Sequence, residues 1–162
     1  VAEAANPPDM RCVDARLAHV HPDAVVSSLA VVGAPGEWRN RPSLFPVIVG
    51  RGATIRELCT VHAGCDRDTI IGPRTLLMAR VHVGHDVQIG EGCELAPGAT
   101  IGGCVTIGDG VKIGMNACVK PFVKIGSGAR IGMGAVVTKD VGANQTWFGN
   151  PARQKHEWKK GS

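Results

Sequence analysis

One spacing constrains this chain more than any other feature: from Ile71 onward, every sixth residue is aliphatic. The series runs Ile71, Leu77, Val83, Ile89, Leu95, Ile101, Ile107, Ile113, Val119, Ile125, Ile131 and Val137 without a miss. Ile, Leu and Val make up about a quarter of the sequence, so chance produces such a run less than roughly once in a million. Gly usually follows the aliphatic residue, as at Gly84, Gly90, Gly102 and Gly108. Four places after it comes a small or β-branched residue, among them Val87, Cys93, Ala99, Val105 and Ala117. The same register is present upstream at Val20, Val26 and Val32, and again at Val49, Ile55 and Val61.

A period of six fits neither a helix, at 3.6, nor a simple strand, at 2. It fits a coil with flat faces, each face carrying a short strand and a corner. Three hexads close one triangular turn, and turns stack about 4.8 Å apart through parallel strand pairing. No turn buries enough apolar surface alone, so stability comes from stacked neighbours. The composition agrees: 22 glycines, 4% aromatics and no Tyr suit small corners and short strands better than an ordinary core. The 162 residues fit one domain.

The interruptions divide the chain. Residues 1–19 are irregular, residues 20–141 form the β-helix, and residues 142–162 read as a cap with a short helix or basic tail. Between Val32 and Val49 the register breaks, and residues 33–48 are expected to project as a loop. Between Val61 and Ile71 the step is ten, one hexad plus four inserted residues placed near Arg67–Ile70. Loops and insertions are where function concentrates.

Three histidines cluster around the insertion: His62, His82 and His85. With the four extra residues removed from the count, Val61 stacks under Val83, and His62 lies one coil below the segment "RVHVGHD". Eighteen residues after His85 comes Gly103, so the imidazole and a glycine share one corner on adjacent coils. Acyl transfer needs such a pair: a base for the attacking amine or hydroxyl, and a main-chain N–H for the oxyanion. Asp86 follows directly and could orient the ring.

The stretches "IRELCTVHAG", "TLLMARVHVGHDVQIG" and "ATIGGCVTIGDG" resemble the hexapeptide-repeat acyltransferases. Within that family they are similar to the UDP-N-acetylglucosamine O-acyltransferases of lipid A synthesis and the N-acetyltransferases of nucleotide-linked amino sugars. The resemblance covers roughly residues 49–153. It implies an all-β, left-handed parallel β-helix, since periodicity alone does not give the hand. It also implies a homotrimer, with His85 as general base, Asp86 beside it and Gly103 as oxyanion donor. The lipid A enzymes carry histidines where this chain has Cys104 and Lys120, which points away from their long-chain reaction. Their extra amino-terminal coils and carboxy-terminal helical domain are not found in this sequence either.

The ending "TKDV…GNPAR" resembles the last coil of acetyl-CoA-dependent members. The column through His85 and Gly103 continues to Pro121 and Lys139, and Lys120, Lys139 and Arg153 are candidates for the CoA phosphates. His62, His82, Trp38 and Arg39 are candidates for the acceptor, with Trp38 and Arg39 suited to a nucleotide. The reading is an enzyme that moves an acetyl group from acetyl-CoA to an amino group, on an acceptor such as a nucleotide-linked sugar. The alternatives are an O-acyltransferase fed by acyl carrier protein and a zinc protein like the γ-carbonic anhydrases. Those anhydrases place two zinc ligands in H-x-x-x-x-H, whereas the pair here is H-x-x-H, so no metal is expected.

The net charge of +4 carries no dense Lys/Arg cluster, so nucleic acid is not expected as a partner. No apolar run is long enough to span a bilayer, and "VAEAANPPDM" is not a signal-peptide pattern. A cytoplasmic location follows as an expectation. In that setting the six cysteines, Cys12, Cys59, Cys65, Cys93, Cys104 and Cys118, are expected as thiols, with Cys59 and Cys93 as interior filler.

Overall fold

A computed structural model describes residues 16–36 and 41–155. They form a left-handed parallel β-helix of about six turns whose three faces are three sheets. The first face stacks Ala18–Val20, Val47–Val49, Thr69–Ile71, Gln88–Ile89, Thr106–Ile107 and Lys124–Ile125. The second holds eight strands, beginning at Val25–Val26 and passing through Glu94–Leu95 to Arg130–Ile131 and Thr146–Phe148. The third stacks Val31–Ala34, Thr60–His62, His82–Val83, Thr100–Ile101, Cys118–Val119 and Val136–Val137.

The hexad series is the core. All twelve residues from Ile71 to Val137 point inward, and none is more than 4% exposed. The residue before each points out, which gives two-residue strands their exposed-then-buried pattern. Register follows the count: Val20 pairs with Val49, Val26 with Ile55, Val32 with Val61, and Val61 with Val83. Cys59 and Cys93 are fully buried between coils, and their thiols reach Met78 O at 3.0 Å and Gly108 O at 3.1 Å. Cys59, Cys65, Cys93, Cys104 and Cys118 form no disulfide; Cys12 lies outside the described residues.

Each corner turns the same way. From Gly52 to Gly134, outside the insertion, the third residue after every inward aliphatic takes a positive φ. Gly holds about half of these places, because the left-handed region costs an L-residue roughly 1–2 kcal/mol. Asp86 at 61°, Cys104 at 61° and Phe122 at 68° occupy it in one column of three successive coils.

The boundaries differ from the sequence expectation in four places. Ala18 and His19 already belong to the first strand, pairing with Val47 and Ile48, so the coil starts two residues earlier than expected. Gly33 and Ala34 prolong one strand and Val47 and Ile48 open another, which narrows the loop to residues 35–46. The four extra residues fall within the corner 63–68 and not near Arg67–Ile70, since Thr69 and Ile70 pair with Val47 and Ile48. Lastly, no helix follows residue 142 among the described residues. Thr146–Phe148 pairs in parallel with Arg130–Ile131 and antiparallel with Arg153–Gln154, so the chain folds back as a hairpin over the end of the second face. Parallel addition sets the half-buried Trp147 beside Ile131 and against the core, and the returning strand covers the exposed edge. Residues 156–162 are outside the described set.

Candidate active site

The corner between the third and first faces carries "GHDV" at residues 84–87. Val83 and Val87 anchor it inside the coil, both fully buried. Between them His85 points outward, with its side chain 17% exposed, and Asp86 turns inward, 1% exposed. His85 Nδ1 lies 2.6 Å from Asp86 Oδ2. The other carboxylate oxygen, Oδ1, accepts three successive main-chain N–H groups: Cys65 at 3.0 Å, Asp66 at 2.8 Å and Arg67 at 2.8 Å. Burial alone would raise the Asp86 pKa. The hydrogen bond from His85 and the three N–H groups outweigh it and hold the carboxyl below the usual carboxylate range. An anionic Asp86 accepts, so Nδ1 donates and the ring's lone pair sits on Nε2.

One coil on, Gly103 lies under the ring. A Cβ built on Gly103 would meet His85 Nε2 at 2.6 Å and Cε1 at 2.8 Å, so only glycine leaves room for the imidazole. The neighbouring N–H groups are committed: Gly102 donates to Val119 O at 2.9 Å and Cys104 to His85 O at 2.9 Å. Among the described residues, the Gly103 N–H between them enters no coil-to-coil bond. The cleft over this glycine has a volume of about 380 Å³. His62, His82, His85, Gly103, Pro121 and Phe122 line it.

His62 and His82 meet edge to face with ring centroids 4.9 Å apart, and His82 Nδ1 lies 2.7 Å from Thr60 Oγ1. His62 is buried and His82 half-buried. The structure therefore brings together the three histidines, Asp86, Gly103 and Pro121. It leaves Lys120 and Lys139 exposed further along the coil, outside the cleft lining. Arg153 sits in the final strand of the second face, its guanidinium donating to Ala152 O. Trp38 and Arg39 lie outside the described residues. Sequence reasoning missed Phe122, Thr60, Thr69 and the N–H groups of residues 65–67. Phe122 was within reach, one place past Pro121 in the column already traced.

A metal reading can be tested on the same atoms. Among the described residues, the one group whose ligand atoms converge is Cys65, His85 and Asp86, all within 4.8 Å of one another. A 2.6 Å Nδ1–Oδ2 contact is a hydrogen bond; two ligands each about 2.0–2.1 Å from a tetrahedral zinc would stand more than about 3 Å apart. Burial also raises the Cys65 pKa, away from the thiolate a metal needs. The donor set fits a hydrogen-bonded pair and does not fit a metal centre.

Comparison with known proteins agrees with the fold. Residues 68–103 and 104–139 match the bacterial transferase hexapeptide (six repeats) family. These residues belong to the hexapeptide-repeat family of bacterial transferases. The chain is 38% identical over 122 residues to an acyl-[acyl-carrier-protein]–UDP-N-acetylglucosamine O-acyltransferase of Ectopseudomonas mendocina, covering 74% of this chain and 46% of that protein. Among solved structures it superposes on LpxA from Acinetobacter baumannii with a TM-score of 0.76 and 26% identity, covering 89% of this chain and 73% of that one. It also superposes on a mutant of perosamine N-acetyltransferase from Caulobacter crescentus, in complex with CoA and GDP-perosamine. There the TM-score is 0.66 with 28% identity, over 87% of this chain and 57% of that one. The chain spans roughly a quarter to a half of the length of the curated relatives it matches.

Proposed function

We propose that the protein is an acyltransferase that moves an acetyl group from acetyl-CoA to the amino group of a nucleotide-linked sugar. The observation that carries this reading is the His85 ring held by Asp86 directly over Gly103. In the reaction, His85 Nε2 takes a proton from the acceptor amine as nitrogen attacks the thioester carbonyl. The Gly103 N–H stabilises the oxyanion of the tetrahedral intermediate. Collapse breaks the carbon–sulfur bond, and the proton on Nε2 passes to the departing thiolate, which restores the neutral ring. Asp86 keeps Nδ1 protonated throughout and stabilises the charged ring between the two transfers. His62 and His82 contact the acceptor, as do Trp38 and Arg39. Lys120 and Lys139 meet the CoA phosphates, and Arg153 serves them only if the cofactor extends to the second face. No metal takes part.

The protein acts as a homotrimer, with each cleft completed by a neighbouring flank. The support is family likeness. A cytoplasmic site of action suits a nucleotide-linked acceptor. No helix among the described residues is long and apolar enough to cross a membrane. A second reading rests on the printed names of the relatives: an O-acyltransferase whose donor is acyl carrier protein. Cys104 and Lys120, where the resemblance leads one to expect histidines, favour the first.

Thiol release from acetyl-CoA, measured against a panel of nucleotide-linked amino sugars, tests the proposal. The expected result is turnover with at least one amino sugar, lowered about 10²–10⁴-fold in His85→Ala. Release only from an acylated carrier protein, with a hydroxyl acceptor, would replace this reading by the second. A monomer in sedimentation at micromolar protein would remove the trimer.

A further inference from the structure

We infer that the inserted corner 63–68, braced by Gly36, Arg41 and Phe45, is a positioning device that fixes the tautomer and placement of His85. The inference rests on the reading of His85 as a base. In the regular coils a corner takes four residues from one strand to the next. Here the longer corner bends three successive N–H groups onto one oxygen of a residue in the following coil. With Oδ1 so occupied, Asp86 has only Oδ2 to offer His85, and its carboxylate plane cannot rotate away.

The rest of the segment secures this geometry. Arg67 Nε donates to Asp86 O at 2.9 Å, and Asp86 N–H donates to Thr69 Oγ1 at 2.9 Å. Thr69 is fully buried, so its hydroxyl is built into the corner. Gly64 has no room for a side chain: a Cβ there would run into Arg67 O and come within 3.1 Å of Asp86 Oδ1. Arg41, Leu44 and Phe45 hold the corner from outside. Gly64 and Phe45 exchange main-chain hydrogen bonds at 2.8 and 3.2 Å, and Arg41 pairs with both oxygens of Asp66. That pairing turns the Asp66 charge toward Arg41, while its N–H serves Asp86. The loop also touches the base itself, since a Cβ on Gly36 would meet His85 Cβ at 2.9 Å and Cys65 Sγ at 3.0 Å. Arg67 and Thr69 are thus positioning residues, and Gly36 and Gly64 are the places where the device admits no side chain.

The test is a long-range proton–nitrogen NMR spectrum of the full chain labelled with ¹⁵N-histidine, recorded near about pH 8, where an ordinary imidazole is neutral. Wild-type protein should show His85 protonated on Nδ1. Gly64→Ala should give a mixture with the Nε2-protonated form. Arg67→Ala, whose side chain is exposed and whose loss leaves the core intact, should broaden or shift the His85 signals toward the same mixture. Acetyl-CoA turnover should fall about tenfold or more in Gly64→Ala and severalfold in Arg67→Ala, with the KM for acetyl-CoA within about twofold of wild type. Arg67→Lys should recover part of the loss. Wild-type His85 signals in both Arg67→Ala and Gly64→Ala would overturn the inference, and if Gly64→Ala does not fold, Arg67→Ala decides. The spectrum needs neither donor nor acceptor. A wild-type protein that transfers no acetyl group would refute the proposed function and leave the tautomer result standing.

Discussion

The regular coils from residue 84 to 141 and the turns below them follow different rules. In the regular coils each hexad repeats one job: an aliphatic residue inward, a left-handed corner, then a small inward residue. Below, the corner 63–68 breaks the period: the N–H groups of Cys65, Asp66 and Arg67 converge on Asp86, and Phe45 pairs with Gly64 behind them. Regularity supplies the column, and irregularity supplies the hydrogen bonds that hold the proposed base. Mutations should therefore separate into those that cost rate and those that cost stability.

The largest expected effect falls on rate. His85→Ala lowers turnover by the two to four decades given above, while thermal stability and CoA affinity stay near wild type, because a corner side chain adds little to the core. The opposite outcome is expected on the second face. Leu95, fully buried on the second face, stacks between Leu77 and Ile113. Leu95→Ala should cost about 2–5 kcal/mol in denaturant unfolding, with turnover of the remaining folded protein unchanged. A stability loss in the first variant, or a rate loss in the second, would break the separation.

Asp86 belongs to both classes, and pH resolves its share. Its folded pKa is depressed, so its contribution to stability is fully present above the ordinary carboxyl value and is lost as pH falls through the folded value. Asp86→Asn should lower the unfolding temperature at neutral pH, corresponding to about 1–3 kcal/mol for hydrogen bonds to a buried charge. The deficit should shrink in acid, where wild type loses the same charge. A constant deficit from neutral pH to below the ordinary carboxyl range would show that Asp86 contributes by packing alone.

How far the sequence could be read follows the same division. The hexad count alone gave the faces, the inward residues and the stacking of Val61 under Val83, because a period of six leaves one register. Adding eighteen to His85 reached Gly103 for the same reason. The count fails across the insertion. Cys65 to Arg67 act on Asp86 through main-chain N–H groups, which no residue identity announces, and their spacings of 21, 20 and 19 follow no period. Thr69 serves the site through its hydroxyl from a strand that looked like inserted chain. The cap with a helix or tail expected after residue 142 differs for another reason: among the described residues Val141 still pairs with Ile125 and Trp147 with Ile131, so the repeat continues with a shortened step and a larger inward side chain.

The smallest expected effect is the most direct comparison, because it places one substitution at equivalent corners in the two classes. Leu58 and Asp86 both take the third place after an inward aliphatic, at φ of 59° and 61°. Leu58 is 57% exposed, so its side chain contributes little burial to offset the left-handed conformation. Leu58→Gly removes that conformational cost of about 1–2 kcal/mol, and the added freedom of glycine in the unfolded chain returns about 0.5–1 kcal/mol of it. The net should be a gain of up to about 1.5 kcal/mol in denaturant unfolding, with turnover unchanged. At Asp86 the backbone relief is the same, but glycine leaves the N–H groups of Cys65, Asp66 and Arg67 without their acceptor and His85 without its partner. Asp86→Gly should therefore lose both stability and rate. If instead both glycine variants shift stability by the same amount, the corner is governed by its backbone alone, and the carboxylate nest contributes nothing to the fold.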